Sequence, residues 1–313
     1  MDKRIVFCGT PDFAAVHLKA LLDAGIRPVA VYTQPDRPAG RGHKLCPSDV
    51  KKLALEHNLE VYTPENFKSE EDINFFESLN CDLCIVVAYG VILPQKVLDA
   101  SKYGFINVHG SILPEYRGAA PIQRALLDGK KQTGVSIMKV ELKLDAGDVY
   151  AVATTDISAS DTSGTLFDRL AKLGAKTLVQ SIEGVIDGTL KAVAQDEAKA
   201  TYAKKISKEE SAIDFNQDAF TVDRIVRGLN PWPIATTTLN DIKYKVFETT
   251  PSDEKANAAP GTIIECNKEG IKVACANGVI TLITIQAPGK GQVKAADLAR
   301  SRKEEFAAGK QFV

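Results

Sequence analysis

The chain has no excess of charge of either sign. Its 313 residues include 39 Lys and Arg against 40 Asp and Glu, which gives a formal net charge of -1. A protein that binds nucleic acid over its whole surface is normally strongly basic. Any contact with nucleic acid must therefore come from a local basic patch, and the overall charge does not decide between classes of partner.

Long apolar runs are also absent. The longest, CIVVAYGVIL at residues 84–93, ends at Pro94 and is well short of the roughly 20 residues that a transmembrane helix needs. The opening MDKRIVFCGTPDF leads directly into a strand-like segment and has no signal-peptide pattern. We therefore expect a soluble protein of the cytoplasm.

Cysteine and histidine are sparse, with six and four residues respectively. The cysteines lie mostly inside apolar, strand-like stretches, which suits reduced core thiols better than a disulfide framework. Cys81 and Cys84 form a C-x-x-C pair, but no second pair or nearby histidine completes a zinc site. The sequence therefore predicts no bound metal.

Two nucleotide-binding signatures are missing as well. Neither G-x-G-x-x-G nor G-x-x-x-x-G-K-[ST] occurs, so dinucleotide and nucleoside triphosphate sites have little support. The turn CGTPDFA after the first apolar run is interpreted as a plain strand-to-helix turn, with Thr10 as the N-cap and Pro11 in the first helical position.

The first part of the chain alternates β-rich runs with amphipathic helical stretches. The predicted strands are RIVFCG, PVAVYT, LEVYTP, DLCIVVAY, GFINVH and GVSIMKV. Between them lie the helical stretches PDFAAVHLKALLDAG, PSDVKKLALEHN, EEDINFFESLN, PQKVLDAS and APIQRALLDG. This alternation predicts an α/β domain over residues 1–189, with a Rossmann-like, doubly wound and mostly parallel sheet.

The pattern changes after residue 189. Residues 190–207 are polar and rich in charge, which is typical of a linker. Residues 208–313 contain the short strand-like runs IATTTL, KYKVFETT, GTIIECN, GIKVACA and GVITLITIQ, and Asn277-Gly278 is a hairpin signal between the last two. We expect a smaller C-terminal β-barrel, OB-like, in this part.

Three polar residues follow or end predicted strands. In FINVH, side chains alternate faces, so Asn107 and His109 project to one side of the sheet. Asp145, in KLDAGDV, adds a carboxylate from a neighbouring strand end. Ligands collect at the carboxyl ends of strands in such sheets. A structural Asn and a satisfied core His would explain a lone pair, but the carboxylate favours a site.

These three residues suit acyl transfer. Asn supplies an N–H donor, His donates or accepts a proton, and Asp orients the imidazole or takes up a proton through water. No Ser or Cys stands in a nucleophile elbow. The pattern therefore favours direct attack by a substrate nucleophile on a carbonyl, without a covalent enzyme intermediate.

The stretch INVHGSILPEYRGAAPIQRALLDG, together with LDAGD, resembles the 10-formyltetrahydrofolate-dependent formyltransferases, whose signature is Asn-x-His-x-Ser-Leu-Leu-Pro with a downstream Asp. Ile112 stands where that superfamily commonly has Leu, a volume-conserving change. The resemblance implies that Asn107, His109 and Asp145 are catalytic and that 10-formyltetrahydrofolate is the donor. It also implies a folate site lined by Ser111, Ile112, Leu113 and Pro114 and by the backbone around Val87, Tyr89, Gly90 and Ile92.

Within the superfamily, FCGTPDFA, TQPDRPAGRGHKLCPSDVK, RGAAPIQRAL and LNPWP look like the methionyl-tRNA formyltransferases of bacteria. The implied reaction moves the formyl group to the free α-amino group of methionine on initiator methionyl-tRNA, for translation initiation. The amine attacks the donor directly, through a tetrahedral intermediate.

The connection at residues 34–48 is long for a βα loop, where roughly 2–6 residues are usual. The resemblance implies that its basic residues contact the tRNA acceptor end, and these are Arg37, Arg41, His43 and Lys44. Phosphate contacts are expected from the C-terminal domain, at Lys290, Lys294, Arg300, Arg302 and Lys303, although each alone fits a solvated surface charge.

Two alternatives remain open. A formyltransferase for a small amine would keep Asn107, His109 and Asp145 but would not need the basic loop or the barrel. A non-catalytic protein that binds tRNA or folate would not need the three polar residues. We expect a monomer, because no exposed apolar stripe or heptad repeat stands out.

Overall fold

The computed structural model describes residues 3–39 and 44–313. The chain divides into two compact units that do not follow its order. The first contains the chain up to Pro121 together with Gln132–Asp156 and Phe167–Ala203. The second contains Ile122–Lys131, Ile157–Leu166 and Lys204–Val313.

The first unit is built on strands and helices that alternate along the chain. Its strands are β1 (Ile5–Gly9), β2 (Ala30–Tyr32), β3 (Arg37–Ala39), β4 (Lys44–Cys46), β5 (Val61–Tyr62), β6 (Leu83–Val87), β7 (Phe105–His109), β8 (Arg117–Gly118), β9 (Gln132–Lys139), β10 (Val149–Asp156) and β11 (Tyr202–Ala203). The helices of this unit are α1 (Asp12–Asp23), α2 (Asp49–Glu56), α3 (Glu70–Ser78), α4 (Gln95–Leu98) and most of α6 (Ser163–Asp187). Helix α5 (Pro121–Leu127) belongs mainly to the second unit.

Seven strands form the main sheet, in the order β10-β9-β7-β6-β1-β2-β5. The pairs from β7 to β5 are parallel, whereas β9 runs antiparallel to both β7 and β10. All five residues of β1 and of β6 are buried, as expected for strands covered on both faces. The predicted α/β fold with a Rossmann-like, mostly parallel sheet is therefore confirmed.

The first crossover differs from the prediction at its N-terminus. Helix α1 starts at Asp12, and its N-cap is Pro11, whose ring has no atom that can accept a capping hydrogen bond. Thr10 does not cap the helix, because its hydroxyl instead donates to the carbonyl of Tyr89 at 2.8 Å. At the other end, Gly25 has φ 75° and takes the left-handed conformation that commonly ends a helix.

The second unit contains an antiparallel sheet. Its remaining elements are α7 (Ala219–Gly228), β12 (Ala235–Leu239), β13 (Ile242–Ser252), β14 (Ile263–Cys266), β15 (Ile271–Ala274), β16 (Val279–Gln286), β17 (Val293–Lys294) and α8 (Ala295–Ser301). The sheet order is β12-β13-β16-β15-β14, with β17 paired to β16. The hairpin at Asn277-Gly278 lies where the sequence predicts it, between β15 and β16.

The last residues of the chain join the two outer strands of this sheet. Val313 exchanges backbone hydrogen bonds with Thr238 of β12, at 2.8 and 2.9 Å. Lys310 accepts from the N–H of Ile263 in β14 at 2.7 Å. The backbone of residues 309–313 therefore closes the sheet into the expected C-terminal β-barrel.

Residues 190–203 of the polar segment are part of the first unit. Val193 forms a bridge with Val149 at the start of β10, and β11 pairs in parallel with β8. The domain limits at 189 and 208 stay predictions. Among the described residues, no helix combines the length and the apolar content that a bilayer span requires.

Candidate active site

Strand β7 positions the two polar residues of the sequence signature. It lies between β6 and β9, with Asn107 opposite Val86 and Met138. Val108 faces the side covered by α6, because a Cβ placed on Gly174 would lie 3.0 Å from its Cγ1. Since side chains alternate along a strand, Asn107 and His109 project to the opposite side, as predicted.

The ring of His109 is buried and held by backbone. Its exposed fraction is 6%, and its Nε2 lies 2.8 Å from the carbonyl oxygen of Tyr116. A carbonyl oxygen can only accept a hydrogen bond, so Nε2 carries a proton. Nδ1 is therefore the ring nitrogen that can exchange a proton with a substrate.

Asp145 lies beside the free side of this ring. Its Oδ2 is 3.7 Å from Nδ1 of His109, which is an electrostatic contact but too long for a hydrogen bond. The same oxygen accepts a hydrogen bond from the N–H of Gly118 at 2.7 Å. The structure thus brings His109 and Asp145 together, with Asn107 two residues before the histidine on the same face.

Asp145 reaches the site by a different route from the one that the sequence suggests. Strand β9 runs antiparallel to β7, and its last residue Lys139 lies opposite Ile106 near the start of β7. Asp145 therefore does not follow a strand that ends beside His109. It reaches the ring because the turn after β9 folds back, with Asp145 itself at a φ of 48°.

Gly118 is required at its position by close backbone packing. Its φ is 115°, and a Cβ there would lie 2.9 Å from the carbonyl oxygen of Ala203 in β11. A side chain would be strained in this conformation and would displace one of the two strands. The glycine thus allows β8 and β11 to meet while its N–H stays directed at Asp145.

The SILP turn is held from inside by serine hydroxyls. Ser136 of β9 donates to the carbonyl of Ser111 at 2.8 Å and accepts from the N–H of Leu113 at 3.1 Å. Ser111 is fully buried, and its hydroxyl donates to the carbonyl of Glu115 at 2.6 Å. Leu113 is 7% exposed, whereas Ile112 and Pro114 are half-buried. The latter two offer more side-chain surface to a ligand.

The second predicted folate segment follows β6. Val87 and Tyr89 are buried in the core, so they can meet a ligand only through their backbone. The carbonyl of Tyr89 is already occupied by Thr10 and by the Gln34 amide at 2.9 Å. By contrast, Gly90 is exposed and Ile92 is 88% exposed.

The basic loop contains a small hairpin. Strands β3 and β4 pair antiparallel, with Arg37 opposite Cys46 and Ala39 opposite Lys44. Arg37 and Lys44 are exposed. The other two predicted tRNA contacts, Arg41 and His43, lie outside the described residues.

A cluster of polar side chains around the buried Arg117 was not predicted. Arg117 is fully buried, and its guanidinium donates to the Glu197 carboxylate and to Oε1 of Gln195, with shortest distances of 2.8 and 2.9 Å. Lys143 donates to the same carboxylate at 2.7 Å. Hydrogen bonds from Arg117 and then Lys143 lower the pKa of Glu197 to about 2. The carboxylate therefore stays ionised at any pH at which an ordinary histidine titrates.

The basic residues near the C-terminus differ in their surroundings. Arg300 pairs with Asp297 at 3.2 Å and Arg302 with Glu305 at 3.4 Å. The lysines are exposed, and these are Lys290, Lys294 and Lys303. In the part of the chain that the structure describes, no group of three or more His, Cys, Asp or Glu residues could hold a metal ion.

Two sequence families match the chain. The family described as "Formyl transferase" matches residues 3–182. The family described as "Formyl transferase, C-terminal domain" matches residues 205–303. The first match includes the Asn107, His109 and Asp145 positions, and the second includes the barrel strands.

Solved structures share the fold at low sequence identity. One is described as WlaRD, a sugar 3N-formyl transferase, with TM-score 0.67, 16% identity, and coverage of 93% of this chain and 100% of that one. An N-formyltransferase from Helicobacter canadensis, in complex with folinic acid and dTDP-3-aminofucose, has TM-score 0.67, 18% identity, and coverage of 91% and 99%. HypX from Aquifex aeolicus, in complex with tetrahydrofolic acid, has TM-score 0.61 and 17% identity, and the match covers 96% of this chain and 47% of HypX. The chain thus spans about half the length of HypX.

Proposed function

Because the chain belongs to the formyl transferase family, we propose that it transfers the formyl group of 10-formyltetrahydrofolate to the α-amino group of initiator methionyl-tRNA. The observation that carries the proposal is the geometry around His109. Its Nε2 is committed to Tyr116, and its Nδ1 is turned towards the Asp145 carboxylate at 3.7 Å.

The reaction needs one new C–N bond and the loss of another. The methionyl amine attacks the formyl carbon on N10 of the folate, and the carbonyl oxygen becomes an oxyanion. The Asn107 carboxamide donates a hydrogen bond to that oxygen. Nδ1 of His109 takes up the amine proton, and the resulting imidazolium, beside the Asp145 carboxylate, donates a second hydrogen bond to the oxyanion. The same proton then passes to N10, which departs as the intermediate collapses to N-formylmethionyl-tRNA.

The folate donor fits the surfaces that flank the signature. Ile112 and Pro114 of the SILP turn and the exposed Gly90 and Ile92 after β6 are available to a ring system. The Helicobacter canadensis and HypX structures are complexes with folinic acid and tetrahydrofolic acid respectively. A folate-type donor is therefore the part of the proposal that the relatives support most directly.

A nucleic-acid acceptor is supported by basic surfaces on both units. In the first unit, Arg37 and Lys44 are exposed on the β3–β4 hairpin, beside Leu45, which is 68% exposed. In the second unit, a cavity of about 1200 Å³ is lined in part by Lys130, Lys131, Arg224 and Lys245. Positive side chains with polar neighbours suit phosphate and sugar contacts.

An amino-sugar nucleotide is the second candidate acceptor. One relative is described as a sugar 3N-formyl transferase and the other is an N-formyltransferase in complex with dTDP-3-aminofucose, and this chain covers 100% and 99% of their length. A small-amine enzyme can therefore have a chain of comparable extent. The barrel alone does not distinguish the two acceptors, and the basic hairpin becomes the feature that favours tRNA.

An acceptor panel separates the two candidates. Labelled 10-formyltetrahydrofolate would be incubated with the protein and with initiator methionyl-tRNA, the uncharged tRNA, elongator methionyl-tRNA or a dTDP-amino sugar. We expect label on initiator methionyl-tRNA alone or in large excess, falling steeply between 50 and 200 mM salt, a range over which phosphate contacts weaken. Label on the sugar with none on tRNA would replace the first candidate by the second.

A further inference from the structure

We propose that Arg117, Gln195 and Glu197, named here the Arg117 clamp, are positioning residues that set the distance between His109 and Asp145. The inference rests on the proposed formyl transfer, because it concerns the same site. None of the three touches a reacting atom. They act through the two backbone turns that hold the catalytic side chains.

The first turn is residues 116–118. Its Tyr116 carbonyl binds Nε2 of His109 at 2.8 Å, and its Gly118 N–H binds Oδ2 of Asp145 at 2.7 Å. Arg117 lies between these two contacts, and its side chain is fully buried on the way to the clamp. Any movement of Arg117 therefore displaces one partner of each catalytic side chain.

The second turn is the one that contains Asp145. The Gln195 amide donates to the carbonyl of Asp145 at 2.9 Å and to that of Gly147 at 2.7 Å. Its Oε1 accepts from Nε and Nη2 of Arg117 at 3.1 and 2.9 Å. Because Arg117 only donates and the two carbonyls only accept, the orientation of this amide is fixed without ambiguity. Gln195 thus links the two turns directly.

Glu197 links the same turns a second time. Its carboxylate receives both Arg117, at 2.8 Å, and Lys143, at 2.7 Å. Lys143 lies two residues before Asp145. Two bridges between the same pair of turns resist both sliding and twisting of one turn against the other, which one bridge alone does not.

The segment that carries the clamp is itself anchored to the first turn. Thr201 accepts from the N–H of Arg117 at 2.9 Å through its carbonyl and from the N–H of Tyr116 at 2.8 Å through its hydroxyl. The chain from 195 to 203, polar and linker-like in sequence, therefore contacts both the turn at residues 116–118 and the turn that contains Asp145. Displacement of a reacting group by about 1 Å can cost on the order of 100-fold in rate.

Gln195→Glu is the sharpest test, because it keeps size and the contact with Arg117 but turns a carboxylate oxygen towards the carbonyls of Asp145 and Gly147. We expect kcat for initiator methionyl-tRNA to fall by about tenfold or more, with KM for donor and acceptor within about twofold. Glu197→Gln should lower kcat in the same way. The Glu197 side chain is 56% exposed, so the fold should tolerate this substitution.

Lys199→Gln is the matched control. It changes the net charge by the same amount in the same segment, and it removes only an exposed contact with Asp196 at 3.2 Å. It should retain wild-type kcat. Equal kcat in Gln195→Glu, Glu197→Gln and Lys199→Gln would overturn the inference. The inference would also be overturned if only Gln195→Glu lost kcat and this variant had a lower melting temperature, while Glu197→Gln kept wild-type kcat.

A second readout separates this inference from the proposed function. The ¹⁵N NMR signals of the His109 ring, assigned by their loss in His109→Ala, report whether Nε2 carries the proton as it does towards Tyr116. We expect the chemical shifts of these signals to change in Gln195→Glu and Glu197→Gln and to remain unchanged in Lys199→Gln. If the wild type does not formylate methionyl-tRNA, the proposed function fails and these spectra alone decide. Unchanged spectra then overturn the inference.

Discussion

Backbone groups fix the protonated ring nitrogen of His109 and the position of the Asp145 carboxylate. The carbonyl of Tyr116 fixes the protonated nitrogen of the ring, and the N–H of Gly118 fixes the carboxylate. Backbone groups have little freedom to move, so such contacts cost little reorganisation during a reaction. The geometry of the candidate site therefore depends on the turn at residues 116–118 as much as on the three side chains of the signature.

A different histidine, His17, is predicted to affect stability towards acid. His17 on α1 is fully buried, and burial lowers its pKa from 6.5 to about 4. Its Nδ1 bonds the Phe13 carbonyl at 2.7 Å, while its Nε2 has no partner among the described residues. The unfolded chain therefore binds a proton at His17 at a higher pH than the folded chain does.

We predict that His17→Leu reduces the pH dependence of unfolding. Because folding lowers the pKa of His17, the contribution of this neutral side chain to the free energy of unfolding is complete above about pH 6.5. It is lost as the pH falls towards 4. The shift corresponds to about 3 kcal/mol. Urea unfolding at pH 7 and pH 4 should show a loss smaller by that amount in the variant. His57→Gln is the control, and equal losses in wild type and His17→Leu would contradict the prediction.

The sequence could predict the face of the sheet that carries the candidate site but not the contacts that support it. Alternation along FINVH places Asn107 and His109 on one side, and this needs only local geometry. The contact of Arg117 with Gln195 joins residues 78 apart in the chain. Nothing in the composition of the polar stretch around Gln195 distinguishes a clamp from a solvated linker, so this part became visible only in the structure.

At the scale of elements, the strands and helices that hydrophobic periodicity predicts are present. The sequence does not determine whether neighbouring strands run parallel or antiparallel. A buried strand has the same composition whether it runs parallel or antiparallel. The reversal at β9 is therefore not visible in GVSIMKV, although it decides how Asp145 reaches His109. β10 was missed because it has an alternating, half-exposed pattern at the edge of the sheet.

The C-terminal tail that closes the barrel has a measurable role in stability. Phe312 is 2% exposed, and its ring lies 6.2 Å from that of Phe215 and 6.4 Å from that of Phe306. We predict that Phe312→Ala lowers the free energy of unfolding of the second unit by about 3–5 kcal/mol. Phe312→Leu should cost far less, because most of the volume remains.

The fluorescence of Trp232 allows the stability change caused by the Phe312 substitutions to be measured in the second unit alone. This residue is the only tryptophan of the chain, it lies in that unit, and it is 47% exposed. Urea titrations followed by its fluorescence should place the midpoint of Phe312→Ala well below that of Phe312→Leu. Coincident midpoints would mean that the tail does not stabilise the barrel.

The β3–β4 hairpin should contribute to acceptor binding through charge. We predict that Arg37→Ala combined with Lys44→Ala raises KM for methionyl-tRNA and reduces the slope of log affinity against log salt by about 2, which is about 1 for each lost phosphate contact. KM for the folate donor should not change. Lys19→Ala with Lys96→Ala removes equal charge from α1 and α4, and an equal effect there would refute a specific role for the hairpin.

At the scale of the whole molecule, the near-zero net charge limits how a nucleic acid can be bound. With a formal net charge of -1, attraction must come from patches such as the hairpin and the basic side chains that line part of the cavity in the second unit. Patches of this kind give binding that weakens with salt, without the indiscriminate affinity of a basic protein. A substrate range restricted to particular tRNAs is compatible with this distribution of charge.

The most direct measurement is the transfer of labelled formyl from 10-formyltetrahydrofolate to initiator methionyl-tRNA, resolved on an acid gel. Wild type, His109→Ala and Asn107→Ala would be compared at saturating donor, with Lys199→Gln as the control. We predict labelled methionyl-tRNA with wild type and control, and a loss of about 10²–10³-fold in kcat for Asn107→Ala and at least as much for His109→Ala. Retained transfer in both alanine variants, or no transfer by the wild type while folate still binds, would contradict the proposed activity at this site.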